Sequence, residues 1–213
     1  MTEKQLRRNG GRYARAYASH RPDARKKQLA FCACCRVTWH LAKLECNRAA
    51  IEASEEFADG NVTLRALKRR WNSMRFEPVA CVYWVIGAAG PVYPSGGFPN
   101  KLPKTEADQA AVAAFHELAA RAGEDWERAQ TERVIDVFGH ELNTFRFERA
   151  WATDTAVAVA RQMYDARDFG AMPILADALQ DAGCDCETVL NHCRDTNRAH
   201  VRGCWVVDLV LGK

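Results

Sequence analysis

Apolar residues recur at helical spacing through most of the chain. Asp23, directly after Pro22, can cap a helix that runs through Leu29, Phe31, Cys32 and Cys35 towards Trp39. Leu29 to Cys35 contains no polar residue, which predicts burial on most sides. A second helix is predicted over Glu45–Ala58, with Cys46, Ala49, Ala50, Ala53 and Phe57 on one stripe and Gly60 past its end. Thr63 can cap a third, in which Leu64, Leu67, Trp71 and Met74 share a face opposite Arg65, Lys68, Arg69 and Arg70. Further on, Thr105 to Ala122 and Glu124 to Phe138 read as helices, followed by an irregular aromatic stretch, Gly139 to Ala152. Helical spacing resumes from Thr153 to Ala166 and from Pro173 to Ala182, where Gly183 ends it. Two short helices are expected near Cys186–Arg194 and Val201–Leu211.

Val79 to Ile86 fits either a strand or a buried helix, since a short apolar run bounded by Pro78 and Gly87 has no diagnostic period. Residues 90–104 hold four of the seven prolines, together with Gly96 and Gly97, and read as a loop. The expected organisation is a basic arm at 1–22, a helical lobe at 23–89, the Pro/Gly-rich loop at 90–104 and a second helical lobe at 105–213. The fold class is all-α, a multi-helix bundle or solenoid-like stack, with strand confined to short pieces near 79–86 or 144–147.

Charge is uneven along the chain. Residues 1–27 carry nine basic side chains against Glu3 and Asp23, a net of +7, so with +3 overall the remainder stands at −4. An arm of this kind can neutralise phosphates, which makes nucleic acid a candidate partner through Arg7, Arg8, Arg12, Arg15, Lys26 and Lys27. A solvated terminus explains the same charges. The longest apolar run, Val79 to Gly90, is about 12 residues, well short of the roughly 20 that a membrane span needs. No apolar segment follows the first basic residues, so no export signal is read and a cytoplasmic location is expected, with no membrane partner. Nine cysteines in that setting are read as reduced thiols and mostly as small buried hydrophobes.

Candidate chemistry is concentrated near the C-terminus. Cys184, Cys186, His192, Cys193, His200 and Cys204 lie close together, and soft thiolates with imidazoles are what tetrahedral zinc requires. His200 and Cys204 have finger-like spacing, so Cys184, Cys186, His200 and Cys204 form the candidate ligand set, with His192 and Cys193 in reserve. The single residue between Cys184 and Cys186 is shorter than a zinc knuckle's usual two to four. A second cluster, Cys32, Cys34 and Cys35, sits in the middle of a helix, where Arg36 and His40 could activate a thiol and core packing is the simpler expectation. Asp177 and Asp181 are one helical turn apart and read as a solvated face. Walker loops, dinucleotide glycine fingerprints, nucleophile elbows and paired-histidine zinc-protease helices are all absent from the sequence.

The stretches Phe31 to His40 (FCACCRVTWH), Phe57-Ala58-Asp59-Gly60, Tyr164 to Cys184 (YDARDFGAMPILADALQDAGC) and Leu190 to Lys213 (LNHCRDTNRAHVRGCWVVDLVLGK) resemble a family of uncharacterised planctomycete proteins. The resemblance implies a helical fold and supplies no activity, substrate or cofactor. The expected role is non-enzymatic binding or scaffolding, with protein as the partner. The alternatives are a zinc-stabilised nucleic-acid-binding module and a thiol-dependent enzyme.

Overall fold

A computed structural model describes residues 2–8, 23–37, 39–41, 44–74, 125, 128–140 and 145–213. These residues are predominantly helical, and no strand occurs among them. The fold is all-α. The segments 79–86 and 90–104 lie outside the described residues, and 145–148 has no regular structure. No helix among the described residues is long and apolar enough to cross a membrane. The chain divides into two compact units, one formed by 1–8 with 132–213 and the other by 9–131.

In the second of these, α2 (Ala24–Arg36) packs on α3 (Glu45–Ala58), and α3 packs on α4 (Leu64–Ser73). The side chain of Asp23 accepts from the Lys26 N–H at 2.9 Å and starts α2 where the sequence places a cap. The helix stops at Arg36 rather than continuing to Trp39, which instead opens a 3₁₀ turn (Trp39–Leu41). Every residue from Gln28 to Cys35 is buried. Burial pushes the thiols of Cys32 and Cys35 well above their ordinary value, and the nearby Arg36 does not offset it. The guanidinium of Arg36 is held by Glu55 (Nη2 to Oε2, 2.8 Å) and stacks on Trp39 at 4.3 Å from the ring centre. Trp71 Nε1–H donates to Ser54 Oγ at 2.9 Å, which ties α4 to α3.

The other unit contains α1 (residues 3–8), the 132–140 portion of α5 (residues 128–140), α6 (Asp154–Ala166), α7 (Met172–Asp181), α8 (Glu187–Arg194) and α9 (Trp205–Leu211). Thr153 caps α6 by accepting from the Ala156 N–H at 3.3 Å, and Pro173 occupies the first turn of α7. Gly183 follows α7 at φ +89°, a left-handed conformation that suits glycine. The core of this unit draws on α6 to α9, with Met163, Tyr164, Leu175, Leu179, Val189, Trp205 and Val206 all enclosed. Leu6 in α1 has no exposed surface, and Arg7 beside it pairs with Glu3 and Glu132.

The last helix begins at Trp205, four residues later than the hydrophobic pattern suggests. Gly203 at φ +93° breaks the chain direction, and the Cys204 N–H closes a turn onto the Val201 carbonyl at 2.8 Å. Cys204 therefore stands at the helix's N-cap, facing the end of α8.

Candidate metal centre

Four side chains converge in the C-terminal unit. Asp136 comes from α5, His192 from α8, His200 from the loop after α8, and Cys204 from the N-cap of α9. Asp136 is enclosed because the apolar residues around it, Val134, Ile135, Val137 and Phe138, are themselves fully buried. His192 shares the inward face of α8 with Val189 and Cys193. The loop after α8 is shaped by Asp195, whose carboxylate accepts from the Asn197 N–H at 3.1 Å and whose carbonyl accepts from the Arg198 N–H at 3.0 Å.

One ligand atom from each of the four lies within 4.8 Å of all the others. His192 Nε2 is 3.2 Å from Cys204 Sγ and 3.3 Å from Asp136 Oδ1. His200 Nδ1 is 2.8 Å from Asp136 Oδ1 and 3.9 Å from Cys204 Sγ. Zinc bonds of about 2.0–2.3 Å set at tetrahedral angles give edges of about 3.3–3.6 Å, and the four separations bracket that range. The group could hold a metal ion.

The surroundings define its electrostatics. Burial alone would push the Asp136 carboxyl up, but hydrogen bonds from His192 and His200 hold it well below the usual carboxylate range. Its second oxygen accepts from the Val201 N–H at 2.9 Å, which fixes the carboxylate's orientation. Burial pushes His192 down, against the pull of Asp136. Burial also pushes the Cys204 thiol up, and Asp136 adds to it. A metal held here would require the Cys204 thiol to be deprotonated.

The indole of Trp205 donates from Nε1 to His192 Nδ1 at 3.0 Å, and Arg198 Nη1 approaches the same nitrogen at 3.3 Å. An indole N–H can only donate, so in this arrangement the His192 proton resides on Nε2. An ion on Nε2 requires that proton on Nδ1, facing the indole. Loading the site therefore has to loosen the Trp205 contact. Gly139 makes the close approach of Trp205 feasible, because a Cβ at that position would collide with the indole's Cδ1 and Nε1.

Of the ligand set read from spacing, His200 and Cys204 are brought together and the reserve residue His192 joins them. Cys184 and Cys186 are not in the group. Cys184 is turned into the apolar core after α7, and Cys186 is half-buried at the N-cap of α8, so the extended piece joining those helices directs neither towards His200. Cys193 is buried in the same core, with its thiol raised by burial. The missed member is Asp136. Its signal in the sequence is a single charge inside the apolar run Val134-Ile135-Asp136-Val137-Phe138.

Four of the six candidate phosphate-binding residues lie among the described residues. Arg7 is engaged in ion pairs, Arg8 is exposed on α1, and Lys26 and Lys27 are half-buried on the first turn of α2. Arg12 and Arg15 lie outside the described residues. Asp177 is exposed and pairs with Arg194 at 3.2 Å, as a solvated face would. No protein-family model, no curated protein and no solved structure matches the chain.

Proposed function

We propose that the chain is a non-enzymatic helical binding protein whose C-terminal unit is held by one structural zinc ion on Asp136, His192, His200 and Cys204. The observation that carries the reading is the enclosure of one carboxylate, two imidazoles and one thiol within a single coordination radius. One carboxylate and one thiolate balance a divalent charge, as a buried site needs. Mixed nitrogen, sulfur and oxygen donors at tetrahedral spacing suit zinc, whereas magnesium and calcium take six or more oxygens. With all four positions supplied by protein, no coordination site is left for a substrate, which supports a structural role. A thiol enzyme working through Cys204 is disfavoured because Cys204 has no exposed surface and burial holds its thiol protonated.

The test is metal content of protein purified without added metal, combined with melting in the presence of a chelator. One zinc per chain, with a melting temperature lowered by chelation and by Asp136→Asn, is the expected result. A second reading is favoured by the Trp205 and Arg198 contacts on His192 Nδ1. In it the four residues form a metal-free hydrogen-bonded network, with His192 Nε2–H and His200 Nδ1–H both donating to Asp136. Zinc near zero, with a melting curve unmoved by chelator, would replace the zinc reading with this one.

A further inference from the structure

From Gly60 to Phe76 the sequence holds five basic residues and no acidic one. Four of the five, Arg65, Lys68, Arg69 and Arg70, lie on α4, and all four are exposed. Arg65, Lys68, Arg69 and Asn72 follow one another at i, i+3, i+4 and i+7, so they share one stripe of the helix. The apolar side is fixed elsewhere: Leu67 and Trp71 are buried, and the Trp71 indole is bonded to Ser54 on α3. The basic stripe is therefore held facing solvent.

Among the described residues no side chain of these four cations enters an ion pair, whereas Arg25 and Arg36 of the same unit are paired with Asp59 and Glu55. The arrangement does not serve the helix itself. Arg65 repels Lys68 and Arg69 one turn away, and it stands in the first turn, where the helix dipole disfavours a cation. A dense, unneutralised row of positive charge selects a polyanion. Three of the four cations are arginines, whose planar forks match phosphate oxygens, and the Asn72 amide adds a further donor to the stripe. A lipid surface is a poorer fit, because an interfacial helix buries its apolar face in the membrane and that of α4 is occupied by α3. No large aromatic side chain is exposed among the described residues, so stacking on single-stranded bases is not offered. A duplex carries its phosphates outermost, at one charge per roughly 1.7 Å of axis.

We propose that the exposed face of α4 binds the phosphate backbone of duplex nucleic acid through Arg65, Lys68, Arg69 and Arg70, without reading its sequence. The assignment does not depend on the zinc reading, since α4 belongs to the other compact unit.

The experiment is fluorescence anisotropy of a labelled DNA duplex of about 20 base pairs and mixed sequence, titrated with the full chain from about 50 mM salt upward. Saturable binding is expected, with a Kd of about 1–100 µM near physiological salt, the range of contacts made to phosphates alone. Replacing all four cations by glutamine, which keeps helix propensity, is expected to weaken binding about tenfold or more and to flatten the dependence of log K on log salt by about 3–4. Arg65→Gln and Arg69→Gln, made singly, are each expected to flatten it by about 0.9, and they decide the matter if the fourfold variant does not fold. Arg8→Gln combined with Arg12→Gln and Arg15→Gln is expected to change binding less. Absence of binding at about 50 mM salt, or an unchanged salt dependence in the α4 variants, overturns the proposal. A larger loss in the arm variant than in the α4 variant overturns it in favour of the arm. Poly-glutamate or phosphatidylserine vesicles held as tightly as the duplex overturn it in favour of an acidic protein or a lipid surface.

Discussion

Gly139→Ala sets two known effects against each other. Alanine is favoured over glycine in a helix interior by up to about 1 kcal/mol. Against this, the added methyl would meet the indole of Trp205, with Cε2 at 3.1 Å and two further atoms closer still. The indole has little room to yield. It is 1% exposed, its Nε1 is bonded to His192, and Phe145 lies across it at 5.1 Å between ring centres. Overpacking of this kind costs about 1–3 kcal/mol, and displacing the indole forfeits its hydrogen bond, worth about 1 kcal/mol more. The expected balance is a destabilisation of about 2 kcal/mol, which for a chain of this length lowers Tm by about 4–8 °C. Thermal unfolding followed by circular dichroism measures it. Combining the change with Trp205→Leu should recover part of the loss, as a coupling between contacting residues. A raised Tm in the single variant would mean that helix propensity wins and that Trp205 is not held over α5.

Three further outcomes follow from burial and charge. In chelated protein, stability should fall as pH falls. His192 is lowered by burial, so below about pH 6.5 the unfolded chain takes a proton that the folded chain refuses, and Asp136 repeats this below about pH 4. Urea unfolding at pH 8, 6 and 4 tests the sign, and a gain of stability on acidification contradicts it. A disulfide reagent on native protein should modify Cys46 and Cys186 before the six buried thiols among the eight described, and peptide mapping that finds Cys204 labelled first would refute the enclosure of the site. Leu6→Ala should cost about 2–4 kcal/mol in denaturant unfolding, as for other buried leucines, whereas a purely solvated arm would show no change.

Much of the helical framework was legible because its signals are local. Asp23 and Thr63 cap helices by the side-chain bonds their positions suggest, and Gly60 and Gly183 take positive φ at helix ends. The seven-residue apolar run at Leu29 is buried throughout, as its lack of polar residues implies. Boundaries shifted where a turn interrupts an apolar run, as at Gly203 before α9. The candidate site was half legible. His200 and Cys204 sit four residues apart and form a recognisable spacing, whereas Asp136 is contributed across 64 residues, a distance over which no spacing rule operates.

That separation of Asp136 from its partners bears on the order in which the C-terminal unit assembles. Closing a loop of about 64 residues costs roughly 4 kcal/mol of chain entropy, a cost to be met before any of its contacts form. Helices α6 to α8 pack on sequence neighbours, α6 on α7 and α7 on α8, whereas α9 returns to pack mainly on α6. The topology therefore favours a nucleus within residues 154–194, with α9 closing onto α6 and α5 arriving last. When it arrives, its carboxylate meets two imidazoles and a thiol already in position, and the site acts as the latch on a nearly finished fold.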